Sequence, residues 1–445
     1  MTEEEKYLER IPMWASKKNS LSDIRKFLGR MGNPDRRMNI IHVAGTNGKG
    51  SVCAYLTSVL NQAGYDTAAF VSPHLICVRE RFLHGSEAAK ERDFVRAFAK
   101  VRKLARVMEA EGYARPTYFE FLFYMFMDMA DGWRPDFVIL ETGMGGLLDT
   151  TNVIEGPILT VVTSISMDHM QYLGNTLEEI AAQKAGILKG GVPVVWDDTC
   201  PESSRVIRRT AEILGCPMYP VSGENLQLLG REKGMIRAAL KWEDGVRTME
   251  IGSYADYQMI NAGLAVRAVQ VMEKDRHLTI SGNAVEEGIR TSFWPGRMEE
   301  ILPEVFLDGA HNEGGVRALA DTIARMQRED KRPAVLMFGA AGDKEYVRMI
   351  GILCGRVNVS RVIATGMHTG RSADAASLEA EFRRKLSCPV EGFATVREAW
   401  NRLMETKGNG PAFIAGSLYL AGEVKELLEI ERQGICQEEK ESEET

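Results

Sequence analysis

Two hydrophobic spacings alternate along this chain, and each switch between them marks a new element. Residues 3–32 follow a helical period in two segments, with Ser20 or Ser22 placed to cap a stripe of Ile24, Phe27, Leu28 and Met31. A continuous apolar run, 40–44, then predicts a strand buried on both faces. It enters a turn holding Gly45, Gly48, Gly50 and Lys49, and Val52, Tyr55, Leu56, Val59 and Leu60 recur at helical spacing beyond it. Further short apolar runs predict strands at 67–71, 136–141, 159–163 and 192–196, alternating with helices at 87–112, 118–130, 177–188 and 257–272. The stretch 200–256 alternates short helices and strands without evident chemistry.

A Pro295-Gly296 break reads as an interdomain hinge, and the strand–helix alternation restarts after it with strands at 305–308, 334–338, 362–365, 390–393 and 411–414. The last of these feeds a helix to about residue 430, and the polar, mostly acidic 433–445 is predicted to be a disordered tail. The fold class is therefore α/β. A P-loop NTPase-like N-terminal domain, 1–294, is built on a central, mostly parallel sheet; a smaller Rossmann-like α/β domain, 295–432, follows. A length of 445 residues exceeds what one hydrophobic core usually supports, in keeping with two domains.

Composition narrows the function by exclusion. A net charge of −7 without any run of five or six basic residues argues against nucleic-acid or membrane-surface binding. Seven scattered cysteines without a CxxC fit free thiols in a reducing compartment rather than a disulfide framework or a zinc site. The start, Met1 to Lys6, lacks the basic and apolar parts of a signal peptide, and the most apolar segment, 118–130, is interrupted by Glu120 and Asp128 and is too short to span a bilayer. A cytoplasmic location is expected, and a monomer, since no long apolar heptad stands out.

Chemistry concentrates where predicted strands end. The glycines of the turn let the backbone approach an anion, the new helix directs its N-terminal partial charge there, and Lys49 adds a full one, so Thr46, Asn47, Gly48, Lys49, Gly50 and Ser51 should hold nucleotide phosphates. The turn departs from the strict Walker pattern: Val43 and Gly50 occupy its first Gly and its Ser/Thr position, and the hydroxyl arrives one residue late, at Ser51. Glu141, at the tip of an apolar strand beside Gly143, Gly145 and Gly146, has the placement of a Walker-B-type magnesium ligand; the blander reading is a carboxylate that caps the loop. Ser72-Pro73-His74-Leu75 and Ser166-Met167-Asp168-His169 complete four polar strand ends on one predicted sheet edge, the edge where open α/β sheets bind ligands.

Eight strings, in order, carry a resemblance: His42 to Ser51, Ser72 to Leu75, Glu141 to Gly146, Asp168-His169, Lys184 to Ile187, Pro295 to Arg297, Asp308 to Asn312 and Gly416 to Leu420. Together they resemble the successive motifs of the folylpolyglutamate synthase and dihydrofolate synthase family within the Mur ligase superfamily, across nearly the whole chain. The resemblance implies an ATP-dependent ligase that joins L-glutamate to a reduced folate or a dihydropteroate carboxylate through an acyl phosphate. It implies ATP and two magnesium ions as cofactors, with Ser51, Ser72 and Glu141 at the first metal and His169 at the second. Lys184 matches a lysine that is carbamylated and then serves as an oxygen ligand. Asn261, Arg297 and Asp308 match ATP contacts. His311 and Ser417 match the glutamate side, and the pterin pocket falls near 18–28 and 117–119. ATP contacts drawn from both domains imply closure before chemistry. The segment Gly366 to Arg371 departs from the family's Asn-Pro-Arg order. Two alternatives stand beside this reading: another Mur-type amino-acid ligase, which should carry a nucleotide-precursor domain of about 100 residues before the loop, and a P-loop nucleotide switch that hydrolyses ATP without forming an amide.

Overall fold

The structure is a computed structural model describing residues 2–12, 19–232, 234–242, 245–276 and 278–443. It divides into two compact units: Met1–His74, Val78–Gly252 and Gln258–Trp294 form the first, and Leu75–Cys77, Ser253–Tyr257 and Pro295–Thr445 the second. The second unit thus includes two short segments, Leu75–Cys77 and Ser253–Tyr257, that precede the Pro295 break and that local sequence does not signal.

In the first unit eight strands form one sheet: β1 (Ile40–Ala44), β2 (Thr67–Phe70), β3 (Phe82–His84), β4 (Glu87–Ala88), β5 (Phe137–Glu141), β6 (Leu159–Val162), β7 (Val194–Asp197) and β8 (Met218–Val221), in the spatial order β4-β3-β2-β5-β1-β6-β7-β8. The six strands from β2 to β8 in that order run parallel, and β3 and β4 turn back antiparallel at one edge. Side chains alternate across the pleat. Ile41, Val43 and Ile139 face a core shared with the helices Lys49–Gln62 and Gln258–Arg276, while Ile40, Val138 and Leu140 face one shared with Leu21–Arg30, Glu91–Ala110 and Tyr118–Trp133. Burial on both faces explains why these strands read as uninterrupted apolar runs.

Local signals end the helices where side chains can satisfy the first amides. Ser20, Thr117 and Thr176 each close a capping box with an acidic residue three positions on. The expected helix at 87–112 is shorter, Glu91–Ala110, because Glu87–Ala88 pairs as β4 with β3. The described residues of the stretch 200–256 hold the α-helix Pro201–Leu214, then β8, a short 3-10 turn at Gly223–Asn225, and a separate antiparallel sheet of β9 (Leu226–Glu232), β10 (Met235–Trp242) and β11 (Gly245–Gly252).

The second unit carries a six-stranded sheet. Its strands are β12 (Glu299–Leu302), β13 (Val305–Leu307), β14 (Ala334–Phe338), β15 (Val359–Thr365), β16 (Val390–Phe393) and β17 (Ala412–Ala415), in the order β12-β13-β17-β14-β15-β16. Only β12 is antiparallel, and helices pack on both faces around two apolar clusters. The final helix, Leu418–Glu443, runs through most of the 433–445 segment expected to be disordered. Its Glu, Gln and Lys residues are strong helix formers, and a polar composition that cannot build a core can still extend a helix already nucleated.

Candidate active site

Because β2, β5, β1 and β6 are parallel neighbours, their carboxyl ends open on one edge and bring together side chains far apart in sequence. β1 delivers the phosphate loop. Lys49 begins the helix, and its ammonium folds back over the turn, donating to the carbonyls of Gly45 (3.2 Å) and Thr46 (3.4 Å). The tip of β5 brings Glu141 to 3.7 Å from Lys49 Nζ, with the carboxylate side chain only 2% exposed. The Ser72 amide, just past β2, donates to Glu141 Oε2 at 3.0 Å. Three residues predicted from separate motifs, Lys49, Ser72 and Glu141, therefore meet, with Ser51 in the first turn of the same helix as Lys49.

The end of β6 braces the loop from the other side. Thr46 N–H and Asn47 N–H donate to the Ser164 carbonyl at 2.8 and 3.3 Å, and Thr163 Oγ1 donates to the Asn47 carbonyl at 2.7 Å. These two loop amides are engaged by the chain itself, whereas the first-turn amides of the Lys49–Gln62 helix lie beyond the reach of the helix's own carbonyl ladder. Gly48 caps that helix at φ +89°, a left-handed conformation that glycine adopts without strain. The late hydroxyl also has a steric cause. A Cβ at Gly50 would lie 2.6 Å from Trp294 Nε1, so a Ser or Thr at the Walker position has no room and Ser51 takes its place.

Lys184 is buried, and its Nζ donates to the Gly45 carbonyl at 2.7 Å. Burial first, and the charge of Lys49 second, pull its pKa from an ordinary 10.5 to about 7; Asp168 and Asp149 pull weakly the other way. His169 caps a short helix in the left-handed conformation, with Nε2 3.9 Å from Asp168 Oδ2 and a side chain 39% exposed. The resemblance makes His169 a ligand of the second metal; among the described residues no group of three or more His, Cys, Asp or Glu is arranged to hold a metal ion, so any such site draws on other donors as well.

Several contributors carried no local signal. Gln258 donates to Ser51 Oγ at 3.2 Å and accepts from Asn261 Nδ2 at 2.9 Å. Its position three residues before Asn261, on one helical face, is the only hint the sequence offers. Asp149 receives the Met144 amide (2.8 Å) and both the amide and the hydroxyl of Thr151, which pins the loop after Glu141. His42, whose Nε2 lies 2.8 Å from Thr151 Oγ1, is held neutral by burial, with a pKa pulled down to about 3. Of the segments expected to form a pterin pocket, Phe119 packs against Gly143 in the Glu141 loop, while Lys18 lies outside the described residues.

In the second unit, Asp308 at the end of β13 accepts from Tyr257 Oη (2.6 Å) and from the amides of Met298 and Ala310 (2.9 and 2.8 Å). Burial raises its pKa, and Arg297 opposes that shift most strongly. His311 Nδ1 sits 2.8 Å from the Gly309 carbonyl, and Ser417, after β17, accepts from the Tyr419 amide at 3.1 Å. Gly416 N–H donates to the Ala310 carbonyl at 3.0 Å, so the ends of β13 and β17 are joined. In the loop that departs from Asn-Pro-Arg, Arg371 pairs with Asp343. Among the described residues no helix is long and apolar enough to cross a membrane.

Known proteins share this fold. The Mur ligase middle domain matches residues 43–265, and the glutamate ligase domain of Mur ligases matches residues 296–418. The chain is 34% identical over 422 residues to the dihydrofolate synthase/folylpolyglutamate synthase of Bacillus subtilis, covering 92% of this chain and 95% of that protein. It superposes on Mycobacterium tuberculosis folylpolyglutamate synthase complexed with ADP at a TM-score of 0.85, with 26% identity and coverage of 95% and 97%. With an FPGS–AMPPCP–folate complex the TM-score is 0.83, at 27% identity and coverage of 96% and 98%.

Proposed function

This chain belongs to the folylpolyglutamate synthase and dihydrofolate synthase family of Mur ligases, and from that premise we propose that it joins L-glutamate to the carboxylate of a reduced folate or of dihydropteroate at the expense of ATP. The observation that carries the reading is the meeting of Lys49, at a helix N-terminus, with Glu141 and Ser72 at the carboxyl ends of neighbouring parallel strands.

A carboxylate does not react with an amine until one of its oxygens becomes a leaving group. In the proposed reaction the substrate carboxylate oxygen attacks the γ-phosphorus of ATP, the bond to the bridging oxygen breaks, and ADP departs. The glutamate α-amine then attacks the acyl carbon and phosphate leaves, with the amine proton lost to solvent or to phosphate. The first step brings two anions together. Two unit negative charges about 4 Å apart repel by roughly 4 kcal/mol at an effective dielectric of 20, nearly three decades in rate. Lys49 and the first-turn amides of the Lys49–Gln62 helix oppose that repulsion from fixed positions.

The donors present fit magnesium. One buried carboxylate with the hydroxyls of Ser51 and Ser72 offers hard oxygen ligands and leaves positions for water and phosphate oxygens, the usual arrangement for this ion. When bound, it supplies further neutralisation of the phosphates. At the second position His169 brings nitrogen and Lys184, as an amine, brings a cation when protonated. Lys184 itself offers oxygen donors there only if its neutral Nζ adds to carbon dioxide, forming a carbamate and releasing a proton. The lysine's burial and lowered pKa support that step. By the family pattern Asn261, Arg297 and Asp308 contact the nucleotide, and His311 and Ser417 serve glutamate.

The test is direct. Purified protein given ATP, magnesium, glutamate and either dihydropteroate or tetrahydrofolate should yield a product heavier by one glutamyl residue. ADP release without an amide from either acceptor would favour the nucleotide-switch reading instead.

A further inference from the structure

Gly48 and Ser51 are linked through two buried side-chain amides, of which Gln258 has no part in the reaction above. Asn261 places its carbonyl oxygen against Gly48, where a Cβ would come within 2.3 Å of Oδ1. Its Nδ2 donates to Gln258 Oε1 at 2.9 Å, and Gln258 Nε2 donates to Ser51 Oγ at 3.2 Å. Ser51, Gln258 and Asn261 are 2%, 4% and 3% exposed. The direction of the chain is set by chemistry. Because Asn261 donates to the Gln258 carbonyl, the Gln258 NH2 group is the part that faces Ser51, so the Ser51 oxygen acts as acceptor toward it. That leaves Ser51 one lone pair and its own O–H, which suits a cation on one side and a phosphate oxygen on the other.

We propose that Gln258 is a positioning residue that orients the Ser51 hydroxyl for the metal–nucleotide complex and, through Asn261, couples that orientation to the backbone turn at Gly48. The inference rests on the ligase reading. It predicts that Gln258 acts on nucleotide binding only when the divalent ion is present, because the ion is what an oriented oxygen recognises. Loss of such an orienting partner typically lowers metal affinity ten- to a hundredfold.

The experiment is calorimetric titration of the full chain with the non-hydrolysable nucleotide AMPPCP, in magnesium and in EDTA. Gln258→Met keeps the length of the side chain and removes both the donor to Ser51 and the acceptor for Asn261. It should weaken AMPPCP binding about tenfold in magnesium and leave it within about twofold in EDTA, with kcat for amide formation falling more than KM for glutamate. In a Ser51→Ala background the same change should add nothing, since its target is gone. Should the methionine variant fail to fold, Gln258→Asn, which keeps a buried amide one methylene short of Ser51, carries the same expectation. Equal weakening in EDTA and magnesium, or losses that add in the double variant, would overturn the assignment. Wild-type chain that binds no AMPPCP under either condition would overturn the ligase reading itself.

Discussion

Lys184→Met offers a test that separates burial from catalysis. The wild-type amine is buried, and its pKa falls from 10.5 to about 7 on folding. Between those values the unfolded chain holds a proton that the folded chain has given up, so stability falls as pH drops from 10.5 toward 7 and levels off below it. Each pH unit in that window carries about 1.4 kcal/mol, which sets a ceiling of about 4 to 5 kcal/mol at neutral pH. Methionine fills similar space without a titrating group and removes the whole of that dependence. It forfeits the 2.7 Å hydrogen bond to the Gly45 carbonyl, about 1 kcal/mol, at every pH. Urea unfolding in carbon-dioxide-free buffer should therefore show the variant gaining about 2 kcal/mol on the wild type between pH 9 and pH 7, while ligase activity is lost. Added bicarbonate should move the midpoint of the wild type alone, because only the lysine can form a carbamate. A stability difference that is the same at both pH values would refute the argument, for it would mean that the folded lysine keeps its proton.

Lys49→Ala should lower amide formation by at most about three decades, the whole repulsion that it opposes together with the helix amides and magnesium, with the fold intact by circular dichroism; a variant with normal turnover would remove the loop from the mechanism. Gly48→Ala sets a Cβ against Asn261 in a backbone at φ +89°, and should both destabilise the chain by about 2 kcal/mol and weaken AMPPCP binding. Gly32→Ala, at the same φ but with open space around it, is the control: about 1 kcal/mol of destabilisation and no effect on nucleotide. His169→Ala should raise the magnesium concentration needed for half-maximal turnover, and an unchanged magnesium titration would reduce His169 to a helix cap.

The chain by itself determined the elements whose causes are local. Apolar runs at 40–44 and 137–141 mark doubly buried strands, and Ser20, Thr117 and Thr176 mark helix starts through contacts three residues long. The order of glycines and lysine after β1 also predicts a phosphate site, since a helix N-terminus is a product of short-range geometry. The sheet order lay beyond such signals. Tertiary packing inserted β5 between β1 and β2, and that step alone sets Glu141 beside Lys49 and Ser72. It likewise carried Gln258 to Ser51, 207 residues away, pressed Trp294 onto Gly50, and buried Lys184 deeply enough to shift its titration. Strand neighbours and desolvation arise from which apolar faces meet across long loops, and periodicity within a segment says which face is apolar without saying what will cover it.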